Sequence, residues 1–280
     1  MRAAGEEAAL HREVRLTFVP RPSRPETHLT VTATERLSPG MVRVRFHSED
    51  LGAFAESAFT DRYVKLVFET PDGPVLRTYT ALEPEVATGD LAIDFVIHGT
   101  AGVAGPWAAQ AQPGDTLVAR GPGGAYSPDP AADWHLLAGD ESALPAIRAA
   151  LAALPADAQG YAVVELPSAD HEQPLPKPEG VQLVWLHTGS STHHAAEDAA
   201  GAVPELEAAV RALPWLDGRV HAFVHGEAQT VMHGIRPYLL KERGLPRADV
   251  SISGYWRRGR TEESFREWKR ELAQAEAVTA

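Results

Sequence analysis

The sequence contains no cysteine. That absence removes disulfides, iron–sulfur clusters, zinc–thiolate sites and thiol nucleophiles together. No apolar run approaches the roughly 20 residues that a membrane-spanning helix needs. Positive charge is in the minority: 26 Lys and Arg face 38 Asp and Glu, a formal net charge of −12. That balance excludes a general nucleic-acid binder, so any basic site must be local. Met1 to Arg15 mixes both signs without an apolar core, so no secretory signal is expected and the cytoplasm is the expected compartment. What is present is ordinary globular material: 280 residues, 44% hydrophobic and 23% charged, enough for two domains with cores.

The first half alternates with period two. Leu29, Val31 and Ala33 form one set, and Val42, Val44 and Phe46 a second. Val64, Leu66 and Phe68 form a third, and Leu91, Ile93, Phe95 and Ile97 a fourth. Such sets mark half-buried antiparallel strands. Ser38-Pro39-Gly40, Pro71-Asp72-Gly73 and Pro113-Gly114-Asp115 supply the turns. A small antiparallel barrel or sandwich is predicted, with one helix from about Pro106 to Ala111.

Beyond a Ser127–Asp133 linker the rhythm changes. Strands are predicted at Trp134–Ala138, Tyr161–Leu166, Val181–His187, Arg219–His225 and Val250–Tyr255. Between them stand helices at Ser142–Leu154, Glu205–Leu213 and Thr230–Arg243, the last ended by Gly244. This βαβ order predicts a doubly wound, mostly parallel sheet. A terminal helix is expected over Glu262–Ala275. The resulting division is an extension over 1–26, an antiparallel β domain over 27–130, an α/β domain over 131–260 and a C-terminal helix over 261–280.

Several short motifs carry chemistry. Arg77-Thr78-Tyr79-Thr80 offers a flavin an aromatic for its ring, a hydroxyl near N5 and a cation for its phosphates. An ordinary exposed strand is the bland alternative. Asp94-Phe95-Val96-Ile97-His98 runs into Gly99 to Trp107, where three glycines and Pro106 precede a helix. Backbone N–H groups at such a start bind pyrophosphate, although glycines also serve simple turns. Gly139-Asp140-Glu141-Ser142 occupies the first βα turn of the second domain, with Ser142 expected as helix N-cap. Its two carboxylates favour the helix but repel a pyrophosphate, so ribose or nicotinamide contact is the expected role. Ser251 to Arg260 ends a strand in Tyr255 and Trp256, then presents Arg257, Arg258 and Arg260. With Lys65 these cations suit a bulky anion. Pairing with an acidic helix that begins at Glu262 explains them equally well. His221 with His225, and His193 with His194, have spacings that suit a metal, but structural roles are favoured and no metal site or catalytic side chain is assigned.

The motifs taken together resemble the siderophore-interacting protein family, over about residues 27 to 268. Arg77-x-Tyr79-Thr80, Asp94-Phe95-Val96-x-His98-Gly99 and Gly102-x-Ala104-x-x-Trp107 carry the likeness. So do Leu137 to Ala146, Gly226-Glu227-Ala228 and Gly254-Tyr255-Trp256-Arg257-Arg258-Gly259. The resemblance implies a fold like that of ferredoxin–NADP reductases: an FAD-binding barrel followed by a reductant-binding α/β domain. It implies FAD-dependent reduction of ferric siderophores with release of Fe(II). Carried over, Arg77 pairs with an FAD phosphate, Tyr79 stacks on the isoalloxazine and Thr80 faces N5. Asp94, Phe95, Val96 and His98 line the flavin. Gly102, Val103, Ala104, Gly105 and Trp107 hold the pyrophosphate, and Asp140, Ser142 and Ala143 lie by the flavin and reductant. Lys65, Tyr255, Trp256, Arg257 and Arg258 are the expected siderophore contacts. The chain departs from the family where Thr100 and Ala101 replace an acidic pair, and where Val103, Gly105 and Pro106 replace Pro, Ser and Arg. The donor is left open among NADH, NADPH and ferredoxin, and a monomer is expected. Another flavin or ferredoxin reductase of the same fold, or a siderophore carrier without turnover, are the rival readings.

Overall fold

The computed structural model describes residues 24–97, 102–189 and 204–260, together with Ser264, Phe265 and Trp268. His98, the 99–101 stretch, His193, His194 and most of the expected terminal helix lie outside the described residues. The N-terminal sheet comprises β1 (Glu26–Ser38), β2 (Met41–His47), β3 (Tyr63–Phe68), β4 (Val75–Thr80), β5 (Leu82–Glu85), β6 (Asp90–Val96) and β7 (Thr116–Gly123). All its pairings are antiparallel, in the order β4-β3-β7-β1-β2-β6-β5. The sheet rolls up, because Tyr79 of β4 meets Phe95 of β6 at 4.5 Å between ring centroids. Inward residues of the four alternating sets fill its core: Leu29, Val31, Val44, Phe46, Val64, Leu66, Phe68, Leu91, Ile93 and Phe95. Helix α1 (Ala104–Gln110) is pinned to that core by Trp107, whose ring lies 5.7 Å from Phe68 and 5.8 Å from Phe95.

The C-terminal sheet comprises β8 (Trp134–Asp140), β9 (Gly160–Leu166), β10 (Val181–His187), β11 (Val220–Glu227) and β12 (Val250–Trp256). It is parallel throughout, in the order β10-β9-β8-β11-β12. Helix α2 (Leu144–Ala153) covers one face, with Ile147 and Leu151 clustered with Leu137 and Val164. Helix α3 (Glu205–Ala212) covers the other, with Leu206 and Val210 clustered with Leu136 and Val163. The helix predicted from Thr230 is wound wider than an α-helix over Gln229–Ile235 and Tyr238–Glu242, interrupted at Arg236 and Pro237. Pro237 has no N–H for a regular ladder. The order reverses between β8 and β11, so the ligand crevice of this fold class lies beyond their C-terminal ends.

One local expectation is corrected. Ser142 does not cap α2, whose N-cap position is Ala143, without a side-chain bond. Asp140 closes the turn instead, accepting from the Ser142 backbone N–H at 2.9 Å and from its hydroxyl. A carboxylate reaching two residues forward is the stronger acceptor.

Candidate functional site

The register of β3 against β4 sorts the predicted residues onto two faces. Tyr63 pairs with Thr80 and Lys65 with Thr78, while Val64 pairs with Tyr79 and Leu66 with Arg77. Cross-strand partners share a face. Arg77 and Tyr79 therefore project with the core residues Val64 and Leu66, while Thr78 projects outward with Lys65, and Thr80, paired with Tyr63 on that same face, is buried at the strand end. Tyr79 packs against the core and is only partly buried, so it retains accessible surface.

Arg62, at the head of β3, was not singled out in the sequence. Its backbone carbonyl accepts from the N–H of Ala81, just past the Arg77–Thr80 motif. Its guanidinium Nε is buried without a hydrogen-bond partner, and burial lowers its pKa. A desolvated cation without an acid at that atom is an arrangement completed by an anion. The signal available was the Asp61-Arg62-Tyr63 run leading into a strong strand.

The residues of β6 behave differently from expectation. Asp94 is buried and gives both carboxylate oxygens to Arg43, at 2.7 and 2.8 Å. Phe95 is wholly buried in the sheet core. What these two offer a ligand is position, not a side chain; Val96 is partly buried and packs toward the α/β core. The loop after β6 returns at Gly102, with φ of 80° and open space where a Cβ would stand. Gly105 lies against the Val96 carbonyl, which a Cβ would approach to 3.2 Å. Val103 and Ala104 carry this turn into α1 with no side-chain cap, so its leading N–H groups keep no side-chain acceptor.

On the second sheet, Asp140 is a hub. Its carboxylate accepts from Ser142 on one oxygen. The other accepts from the Glu227 N–H at 2.7 Å and from Trp256 Nε1 at 2.8 Å. Burial still raises its pKa, outweighing these donors. Asp140 and Ala143 are buried, so of the three residues expected near the reductant only Ser142 keeps exposed surface. Burial likewise raises Glu141, which His171 holds at 2.7 Å. Burial and the nearby Asp140 push Glu165 up to about 7. Glu227 accepts from the backbone N–H of Thr230 and of Arg258. The crevice edge of this sheet thus gathers four carboxyl groups, three of them raised by burial.

Trp256 is anchored by Asp140, and Tyr255 stands edge-on to His225 at 5.0 Å. Burial raises the Tyr255 pKa, with Asp61 and Asp140 contributing. Asp61 itself accepts from the N–H groups of Ala125 and Tyr126 at 2.9 Å. Tyr126, fastened by Asp61, and Tyr255 belong to one apolar cluster, so the head of β3 and the end of β12 lie near one another. The arginines are less open than expected. Arg257 lies 4.5 Å over the Trp268 ring and Arg260 donates to the Ser264 carbonyl. The basic cluster therefore does engage the C-terminal segment, through an aromatic ring and a carbonyl. No group of three or more metal-ligating side chains exists among the described residues.

Two family profiles match. The siderophore-interacting protein profile covers residues 132–259, and the siderophore-interacting FAD-binding domain covers 30–74 and 68–126. The chain belongs to the siderophore-interacting protein family. It is 49% identical to an uncharacterised protein of Mycobacterium tuberculosis, over 91% of this chain and 99% of the other. It is 33% identical to ferric vibriobactin reductase ViuB of Vibrio cholerae, over 82% and 89%. Among solved structures, a siderophore utilization protein from T. fusca aligns with TM-score 0.73 at 36% identity, over 85% of this chain and 94% of that one. The protein is accordingly an oxidoreductase of the flavin reductase type, with an FAD-binding antiparallel sheet and a parallel sheet of the NAD(P)-binding kind. No helix among the described residues is long and apolar enough to cross a membrane. The residues present fit FAD: an orphaned buried Arg62 Nε, the open Gly102 turn and the accessible Tyr79 supply cation, backbone and aromatic chemistry.

Proposed function

We propose that this protein reduces the iron of ferric siderophores and so releases it as Fe(II). The observation that carries the reading is the two-faced β3–β4 ladder. Flavin chemistry (Tyr79, Arg77 and the neighbouring Arg62) stands on one face and cations (Lys65 and the adjacent Arg120) on the other, meeting at Thr80. The name of the ViuB relative points the same way, as does that of the NADPH-dependent ferric-chelate reductase of Escherichia coli, 34% identical over 56% of this chain.

FAD, when bound, accepts a hydride or single electrons from a donor and passes single electrons on. The chain's own residues bind and orient. Arg77, Arg62 and the backbone of Gly102 to Gly105 would hold the phosphates. Tyr79 would support the ring system and Thr80 would offer its hydroxyl at the reactive edge. Trp107 fixes the phosphate turn by packing into the core, and Asp140 fixes Trp256 at the cleft. Lys65, Arg257 and Arg258 attract the anionic chelate. No general acid is required, because Fe(III) takes up an electron and hard oxygen ligands then hold Fe(II) weakly. The flavin unit is taken as residues 27–130 and the reductant unit as 131–260, with NADH, NADPH or reduced ferredoxin as donor. The acidic crevice edge disfavours a phosphate placed directly on it.

The test is anaerobic spectroscopy of the purified holoprotein. Its flavin should bleach with one of the three donors and recover on addition of a ferric siderophore, while a ferrous-specific chelator develops colour. A reduced flavin that recovers no faster with ferric siderophore than with buffer would leave the proposal without support.

A further inference from the structure

Resting on that reading, we infer that the cleft contains an aromatic shelf, formed by Phe59 and Tyr63, that takes an aryl ring of the iron chelate. Phe59 is 40% exposed, one of only two large apolar side chains so exposed among the described residues. It is nonetheless held in place. A Cβ on Gly124 would stand 2.6 to 2.8 Å from its Cβ, Cγ and Cδ2, so one side of the residue lies on bare backbone. The same device recurs next door. A Cβ on Gly123 would stand 2.5 to 2.9 Å from Cζ, the hydroxyl and Cε1 of Tyr63. Two consecutive glycines at the end of β7 thus seat two rings. Thr60 donates its backbone N–H to the Tyr126 carbonyl at 2.8 Å, which fastens the Phe59 loop to the same edge.

The shelf's surroundings select the occupant. Tyr63 faces Thr80, so the shelf begins one residue pair from the proposed reactive edge. Lys65 follows on the same face, with Arg120 beside it. Arg24 donates to the Tyr63 hydroxyl at 3.0 Å and lies 5.2 Å over its ring. Arg120 is paired with Glu26 at 2.8 Å, which leaves Lys65 and Arg24 as the uncompensated charges of this group among the described residues. Exposed aromatic surface beside cations matches a ring that carries or adjoins negative charge, as an aryl iron ligand does. The flavin is not the fitting occupant. Its expected phosphate and ring-stacking partners, Arg77 and Tyr79, project from the opposite face of the ladder, and only Thr80, at the strand end, is shared between the two faces.

Two neutral probes separate the ring from the charge: the tris(benzohydroxamate) and tris(acetohydroxamate) complexes of Ga(III), which cannot be reduced. They differ in phenyl against methyl. Binding is read by fluorescence quenching of the oxidised holoprotein. Wild type should prefer the phenyl complex by about tenfold, the order of one aromatic pair contact. Phe59→Ala and Phe59→Leu should both bring the ratio to about one, the second because it keeps apolar bulk without a ring. Phe59→Trp should restore it. An equal preference in wild type and Phe59→Leu overturns the shelf but leaves iron-chelate reduction standing. Loss of FAD from Phe59→Leu assigns the ring to the cofactor and also overturns it. Failure of both complexes to bind wild type removes the shelf together with the chelate reading.

Discussion

A buried carboxylate surrounded by donors cannot be exchanged for its amide without loss. Asp140 shows why. Each of its oxygens accepts from two donors: Ser142 N–H and Oγ on one, Glu227 N–H and Trp256 Nε1 on the other. An asparagine keeps one accepting oxygen and turns an NH₂ toward the other pair of donors. Leaving buried donors unsatisfied costs about 1–3 kcal/mol each. Asp140→Asn should therefore destabilise the fold by about 2–4 kcal/mol, nearly as much as Asp140→Ala. Denaturant midpoints and tryptophan fluorescence check this, since Trp256 loses its anchor in both variants. An amide variant as stable as wild type would mean that hydroxyl and indole find other acceptors. The sequence placed Asp140 in the right turn but gave it a ligand-facing task. Its isolation depends on Glu227 and Trp256, 87 and 116 positions away, which local patterns do not bring together.

At the scale of elements, the parallel strands β8 and β11 end in Asp140 and Glu227, and β9 carries Glu165 one residue before its end. Asp140 and Glu165 are register partners. Burial and Asp140 together push Glu165 from an ordinary 4.5 up to about 7. The folded chain then binds this proton more tightly than the unfolded chain does. Its stabilising contribution is complete below about pH 4.5 and is lost as pH rises through 7. Glu165→Gln removes that slope while keeping an acceptor for the Leu206 N–H. The variant should gain on wild type between pH 5 and pH 8 by up to about 3 kcal/mol, because each tenfold difference in proton affinity between folded and unfolded chain is worth about 1.4 kcal/mol. Urea midpoints at the two pH values measure the difference. A constant gap between variant and wild type would show that Glu165 titrates normally. Elements of this kind were largely legible in advance. All five parallel strands fall within two residues of expectation at each end, because continuous Val, Leu and Ala runs between Gly and Pro punctuation mark buried strands. In the first sheet, β7 (Thr116–Gly123) went unread: only Leu117, Val118 and Ala119 are apolar, and its end is Gly121-Pro122-Gly123. Gly123 and the following Gly124 lie against Tyr63 and Phe59, so the feature that weakens the strand signal is what lets these two rings pack on bare backbone.

At the scale of the molecule, the two sheets share a core, and the β1–β2 turn is the joint. Met41, on the first sheet, is fully buried in the cluster of Leu144, Ile147 and Phe223, with Leu37 and Val96 packed alongside. Gln173 donates to its sulfur at 3.3 Å from the far side. Gly40 sits where any Cβ would come within 2.7 Å of Glu141 Oε1 and 2.6 Å of the His171 ring. Beyond it, the buried Arg43–Asp94 pair of the first sheet acts on the pKa of Arg148 on α2. Domains in one chain move freely unless their interface is apolar and well filled. Here a methionine supplies the apolar part and a glycine the close approach, so the FAD-binding sheet and the parallel sheet should unfold as one. In wild type, loss of flavin fluorescence quenching and loss of far-UV circular dichroism should therefore coincide on heating. Met41→Ala removes three heavy atoms from a site with no solvent, at a cost of about 2–5 kcal/mol. Because the cavity opens at the joint, the two signals should separate, with flavin release preceding the unfolding of the parallel sheet. Coincident transitions shifted together by several degrees would instead place the coupling in the polar contacts around Gly40, Glu141 and His171, and Gly40→Val would then be the variant that divides them.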